Sequence, residues 1–309
     1  MKTFIKSKRK SISYFQSLSH DDDAALNASI FIQDVHRGVM PLNGESRKHP
    51  QFTATIEGDE FSRDQAIVIL RSFDDYEQHD TRDLICDAVN DIALNVSWRG
   101  WQVYEITRDA DLPHKILIVP FTTKRLFKIM GYYIQGIPKI ERSGINKRFI
   151  LLPSKDVWCI CMPSVLDGAK GYRKILTKLK KFHKPSPDFW LTDMAAQRQT
   201  SGFNFEQYVL NKSIRDARLT RRWGWNQRDS SLKNTTEFFY YYRTITFEWA
   251  QAVMREHIIN ELNNLFARIK IDARIVISGL PTQQDILRVR QELCDGKVQF
   301  EDAYNRAAL

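Results

Sequence analysis

The stretch from Thr235 to Ser278 constrains this chain more than any other part of it. An aromatic run, Phe238-Phe239-Tyr240-Tyr241-Tyr242, passes without a glycine or proline into Glu248–Lys270 and then into Asp272–Ser278. Read as one helix, Thr235–Ile271 is roughly 55 Å long at about 1.5 Å per residue, longer than a small domain is wide. Aromatic and β-branched residues also favour strands, so Phe238–Phe247 has a second reading as a strand, with the helix confined to Glu248–Lys270. Such a rod serves architecture, and no catalytic signature accompanies it.

A chain of 309 residues with 43% apolar content can bury a sizeable core in one large domain or two modest ones. No apolar run approaches the roughly 20 residues that span a bilayer, and Met1–Lys10 lacks the apolar centre of a secretory signal. The expectation is a soluble intracellular chain with no membrane partner. Cys86, Cys159, Cys161 and Cys294 are too few and scattered for a disulfide framework. Cys159 and Cys161 would share one face of a strand, but without a second Cys or His pair nearby we read them as buried thiols.

The net charge of +9 points to a polyanionic partner, although excess charge also promotes solubility. Its distribution is two-poled. Glu57 to Asp91 holds eleven acids against Arg63, Arg71 and Arg82, whereas Lys170 to Lys184 holds seven bases and no acid. The poles either pack together or stay solvated within one chain, or they meet between chains in a heterologous contact.

Residues 1–50 lack periodicity and read as a flexible or extended arm, in which His20 and Asp21-Asp22-Asp23 are left unassigned. Thr81–Val96 is a helix by its apolar spacing, capped by Asp80 or Thr81. Trp101–Ile106, Lys115–Pro120, Arg148–Leu152 and Asp156–Cys161 are short strands of one small, mostly antiparallel sheet. Gly168–His183 is a basic amphipathic helix ended by Pro185-Ser-Pro187, and Phe203–Arg218 is another helix. Thr282 to Asp285 forms a helix start, Gly296 closes that helix, and Phe300–Ala308 adds a last one. The expected fold class is α+β, with an α+β domain over 51–200 and a mainly helical region over 201–309 that includes the long C-terminal helix.

Two candidate contact surfaces emerge for nucleic acid or a neighbouring subunit. One is the cationic face of the basic helix: Lys170, Arg173, Lys174, Lys178 and Lys181. The other is the segment Arg218–Arg228, whose Arg221, Arg222, Trp223 and Trp225 read as an exposed loop. Arginine and tryptophan together grip phosphates and bases, anchor protein interfaces, or fold back into a core. Asp167-Gly-Ala-Lys-Gly-Tyr-Arg-Lys174 is a weak anion-site pattern and reads as a plain loop-to-helix turn. The phosphate loop, dinucleotide glycines, His-Glu-x-x-His and Gly-x-Ser-x-Gly are all absent, and neither catalytic residues, a metal site nor a cofactor is assigned. His257 falls on the rod as a structural or surface residue.

In element order the chain resembles a bacteriophage portal protein over residues 80–295. The residues carrying the likeness are Trp101–Ile106, Leu151–Trp158, Met162–Tyr172, Arg255–Leu265 and Leu280–Thr282, although portal proteins are generally longer. The resemblance implies an α+β subunit that joins identical copies in a ring at one capsid vertex and passes double-stranded DNA through its centre. Other capsid and packaging proteins would be its partners, a separate motor ATPase would drive the DNA, and its location would be the virion or host cytoplasm. The other reading from the residues is a nucleic-acid-binding regulator or nuclease of a mobile element.

Overall fold

The computed structural model describes residues 26–42, 46, 48–73, 80–108, 116–121, 125–137, 148–181, 205–227 and 235–309. The acidic run after His20, the proline pair after the basic helix and residues 203–204 lie outside them. The first half contains α1 (Leu26–Arg37), β1 (Thr53–Gly58), α2 (Glu60–Leu70), α3 (Thr81–Arg99), β2 (Trp101–Arg108), β3 (Ile116–Phe121), β4 (Leu126–Ile129) and β5 (Tyr132–Gly136). The second contains β6 (Phe149–Pro153), β7 (Val157–Cys161), α4 (Gly168–Lys181), α5 (Phe205–Leu219), α6 (Glu237–Arg268), β8 (Ala273–Ser278), α7 (Gln283–Cys294) and α8 (Phe300–Ala307). Among the described residues no helix is long and apolar enough to cross a membrane.

The fold is α+β, but among the described residues the strands form three antiparallel sheets where the sequence pointed to one. β1 pairs with β8, β2 lies between β3 and β7, and β5 lies between β4 and β6. Phe149–Pro153 therefore does not join Trp101 and Val157 in one sheet. Partner choice is non-local, and short apolar runs of similar composition carry no label saying which of them pair.

The long segment is helical from Glu237, which overturns the strand reading of Phe238–Phe247. Thr236 caps it, its hydroxyl accepting from the Phe239 amide at 3.3 Å. At about 1.5 Å per residue its 32 residues span roughly 48 Å. The helix serves two cores, which explains apolar residues on more than one of its sides. Ala250, Val253, Met254, Ile258, Leu262, Leu265 and Phe266 join the main core, whereas Ile245 and Ala252 pack with Ile286, Val289, Leu293, Ala303 and Ala307 of α7 and α8. The aromatic start of α6 feeds the second core: Tyr241 stacks on Phe300 with ring centres 5.7 Å apart.

The expected extended arm is also corrected from Leu26 onward. α1 lies in the main core through Ala28, Phe31, Ile32 and Val35, all buried. Two side chains of α6 fasten the end of α1 and the turn beyond it. Gln251 Nε2 donates to the Asp34 carbonyl at 2.8 Å, and Arg255 Nη1 donates to the Val39 carbonyl at 3.3 Å. Burial lowers the Arg255 pKa to about 10, which leaves the guanidinium charged at neutral pH. At its far end α6 holds the β6–β7 turn, Arg268 Nη2 donating to the carbonyls of Ser154 and Val157 at 3.0 Å each.

Local signals elsewhere held. Asp80 accepts from the Asp83 amide at 2.8 Å at the start of α3, and Thr282 with Asp285 forms a reciprocal capping box. Gly296, at φ +68°, turns the chain after α7.

Candidate functional site

The segment between α5 and α6 is folded inward, which corrects Trp223 and Trp225 as contact residues. Both indoles are buried, at 0% and 2% exposure, so neither can stack on a base. Phe31 of α1 packs edge-on to Trp223 at 5.5 Å and against Trp225 at 5.0 Å, while Tyr172 of α4 meets Trp223 at 5.3 Å. Trp225 Nε1 donates to Asp34 Oδ2 at 2.8 Å. Arg243 of α6, itself buried, clamps the segment by donating from Nε to Asn226 Oδ1 at 3.0 Å, from Nη1 to the Ala217 carbonyl at 3.2 Å and from Nη2 to the Trp225 carbonyl. Burial lowers its pKa to about 10, so it too stays cationic.

With the tryptophans turned in, the neighbouring arginines line a cleft of about 1000 Å³. Arg218 at the end of α5, Arg221 and Arg222 of the following turn, Arg243 of α6 and Arg290 of α7 all reach it. Phe239, Tyr242 and Trp249 supply its aromatic walls. Arg290 lies over the rings of Tyr242 and Trp249, 5.7 and 5.6 Å from their centres, a cation–π arrangement that fixes the guanidinium. Arg222 Nη1 pairs with Asp167 Oδ1 at 2.8 Å, whereas Arg218 and Arg221 are exposed. No carboxylate lines the cleft among the described residues, and the buried indole N–H of Trp249 has no acceptor there. The chemistry on offer is binding: an anion set against an aromatic surface.

The basic helix forms a separate surface. Tyr172, Ile175, Leu176 and Leu179 of α4 are buried, which leaves Lys170, Arg173, Lys174 and Lys178 exposed on the other side. Among the described residues no carboxylate pairs with Lys170, Lys174 or Lys178. Lys181 is the last residue of α4. Lys170, Arg173, Lys174 and Lys178 do not line the cleft, so the described side chains singled out from sequence fall into two surfaces and a core. The anion-like turn at Asp167 is engaged by the protein's own Arg222.

Sequence reasoning missed a third surface. One face of the β4–β5–β6 sheet packs inward through Tyr133, Ile150 and Leu152. The other presents Phe127, Ile129, Tyr132, Phe149 and Leu151, with Met130 at the β4–β5 turn, all between 49% and 94% exposed. Cross-strand register places Phe127, Ile134 and Leu151 in one row and Ile129 beside Tyr132 in the next. The unbroken apolar run Phe149–Pro153 was the available signal, because a strand apolar at every position has two apolar faces.

The thiols are corrected as well. Cys86 is buried, but Cys159 is half-buried and Cys161 and Cys294 are exposed. Cys159 and Cys161 share one face of β7 with their sulfurs 3.9 Å apart. The hydrogen bond from the Cys159 thiol brings Cys161 down to about 7, while that bond and burial hold Cys159 far above the usual range. His257 of α6 is a structural residue here, its Nε2 donating to the Cys161 carbonyl at 2.9 Å. Among the described residues no group of three potential ligands could hold a metal ion.

The chain matches no protein-family model and no curated protein.

Proposed function

We propose that this chain is a ring-forming structural component of a phage or prophage particle, portal-like, that forms the DNA passage at a capsid vertex. The observation that carries the reading is the apolar outer face of the β4–β5–β6 sheet, whose large side chains are exposed in the isolated chain. Contiguous exposed apolar surface of this kind marks a protein interface. α6 supports the same reading as a stiff spine fastened at both ends, a means of holding such surfaces at fixed spacing.

Double-stranded DNA is the polyanion proposed for the exposed face of α4. Four cations on one helix, three of them lysines with no carboxylate partner among the described residues, bind phosphate without reading sequence. A regulator or nuclease that relied on the Arg–Trp segment for stacking is disfavoured by the burial of both indoles.

Filter binding of the full chain to a DNA duplex at several salt concentrations tests the DNA-facing surface. Lys174→Glu with Lys178→Glu is expected to weaken binding and to reduce the slope of log K against log salt by about 2, one unit for each lost phosphate contact. Both side chains are exposed, so the fold should be retained. An unchanged affinity and slope would remove α4 from the DNA surface.

A further inference from the structure

The start of the acidic stretch, residues 57–64, carries an exposed aromatic side chain. Phe61, in the first turn of α2, is 69% exposed. Glu57, Asp59, Glu60 and Asp64 around it are exposed too, and Arg63 is the one base from 57 to 64. Asp59 is fixed by its own helix, accepting from the Ser62 amide at 2.9 Å and the Ser62 hydroxyl at 2.7 Å, and these bonds favour its charged form. The feature is a phenyl ring on a capped helix start, with exposed carboxylates at neighbouring positions of the chain.

The cleft between α5, α6 and α7 is its complement in both respects: guanidiniums in place of carboxylates, and an aromatic-walled recess in place of an aromatic projection. The two cannot meet within one chain. Gly58, just before α2, pairs with Ala273 beyond the C-terminal end of α6, whereas the cleft is built on Phe239–Trp249 near its start. Thr246 and Arg268 alone are separated by roughly 33 Å of helix at about 1.5 Å per residue.

We infer that Phe61 of one copy of this chain inserts into the arginine cleft of another, with its surrounding carboxylates pairing to the rim residues Arg218 and Arg221. Such a contact joins two different surfaces and leaves each subunit one free knob and one free cleft, the geometry that closes into a ring when the rotation allows. It rests on the assembly reading above and names the contact that reading requires. Insertion of a phenyl ring against Tyr242 and Trp249 places the aromatic and arginine residues where interface energy concentrates. Carboxylate–guanidinium pairing sets the direction of the join.

Photo-crosslinking of the full chain carrying Phe61→p-benzoylphenylalanine tests the contact. The expected product is an interchain crosslink that maps to residues 217–249. Its yield should fall about tenfold or more with Arg218→Glu plus Arg221→Glu and return when these are combined with Glu60→Arg plus Asp64→Arg. All four side chains are exposed, so loss with recovery reports the contact and not the fold. No crosslink, a crosslink mapping elsewhere, or a yield indifferent to the charge reversals would overturn the proposal. So would displacement of the crosslink by a DNA duplex in the chain that keeps Arg218 and Arg221, which would assign the cleft to nucleic acid. Annular particles without this crosslink would refute the contact and leave the ring standing. The crosslink in particles that are only dimers would refute the ring and leave the contact.

Discussion

Gly224→Ala is expected to lower stability by roughly 3–5 kcal/mol, combining left-handed backbone strain with overpacking. Gly224 has φ +73°, and a Cβ there would stand 2.2 Å from the Arg243 carbonyl oxygen, 2.7 Å from Thr246 Cβ and 2.9 Å from the Phe247 amide nitrogen. Two of these atoms belong to the backbone of α6 and cannot swing aside. Relief requires lifting the α5–α6 segment from the helix, which would pull Ala217 and Trp225 away from the Arg243 guanidinium. Thermal unfolding should show the midpoint lowered by about 10 °C. A change below about 1 kcal/mol, well under a typical native stability, would mean that the segment is not seated on α6.

Trp223→Ala should cost a similar amount, about 3–5 kcal/mol for a large aromatic removed from a packed site. Trp223 is one of the largest fully buried side chains and joins α1, α4 and the α5–α6 segment through Phe31 and Tyr172. Truncation leaves a void where Phe31 and Tyr172 pack on that ring. Arg221→Ala, two residues earlier and exposed, should change stability by no more than about 0.5 kcal/mol. Urea unfolding of the two variants separates a core residue from a surface one. If Trp223→Ala unfolded like the parent chain and instead weakened DNA binding, the segment would be an outward-facing nucleic-acid grip.

Helices with one buried side were legible from sequence. α3 and α4 each repeat apolar residues at intervals of three and four, and α3 and α7 carry short polar caps where the amides need them. The start of α6 was ambiguous because its aromatic residues serve a second core built from α7 and α8, which lie far along the chain. α1 carries Ala28, Phe31, Ile32 and Val35 at helical spacing, but its brevity, the charged stretch before it and the breakers Gly38, Pro41, Gly44 and Pro50 after it hid it. Sheet membership was unreadable, since β2 and β5 each choose between runs of like composition.

The cleft was half visible. Arg221 and Arg222 stood out beside the tryptophans, but Arg243, Arg290 and Trp249 come from α6 and α7 and reach the same space only through tertiary packing. The tryptophans drew attention for the wrong reason: large aromatics beside arginines look alike at an interface and at the edge of a core. What separates the cases is Phe31 and Tyr172, contributed from elsewhere to cover them.

Negative-stain electron microscopy of the purified full chain tests assembly most directly. The account predicts closed annular particles built from many copies, with a central opening wide enough for a DNA duplex. Uniform compact particles the size of a single 36.2 kDa chain, unchanged across protein and salt concentration, would contradict it.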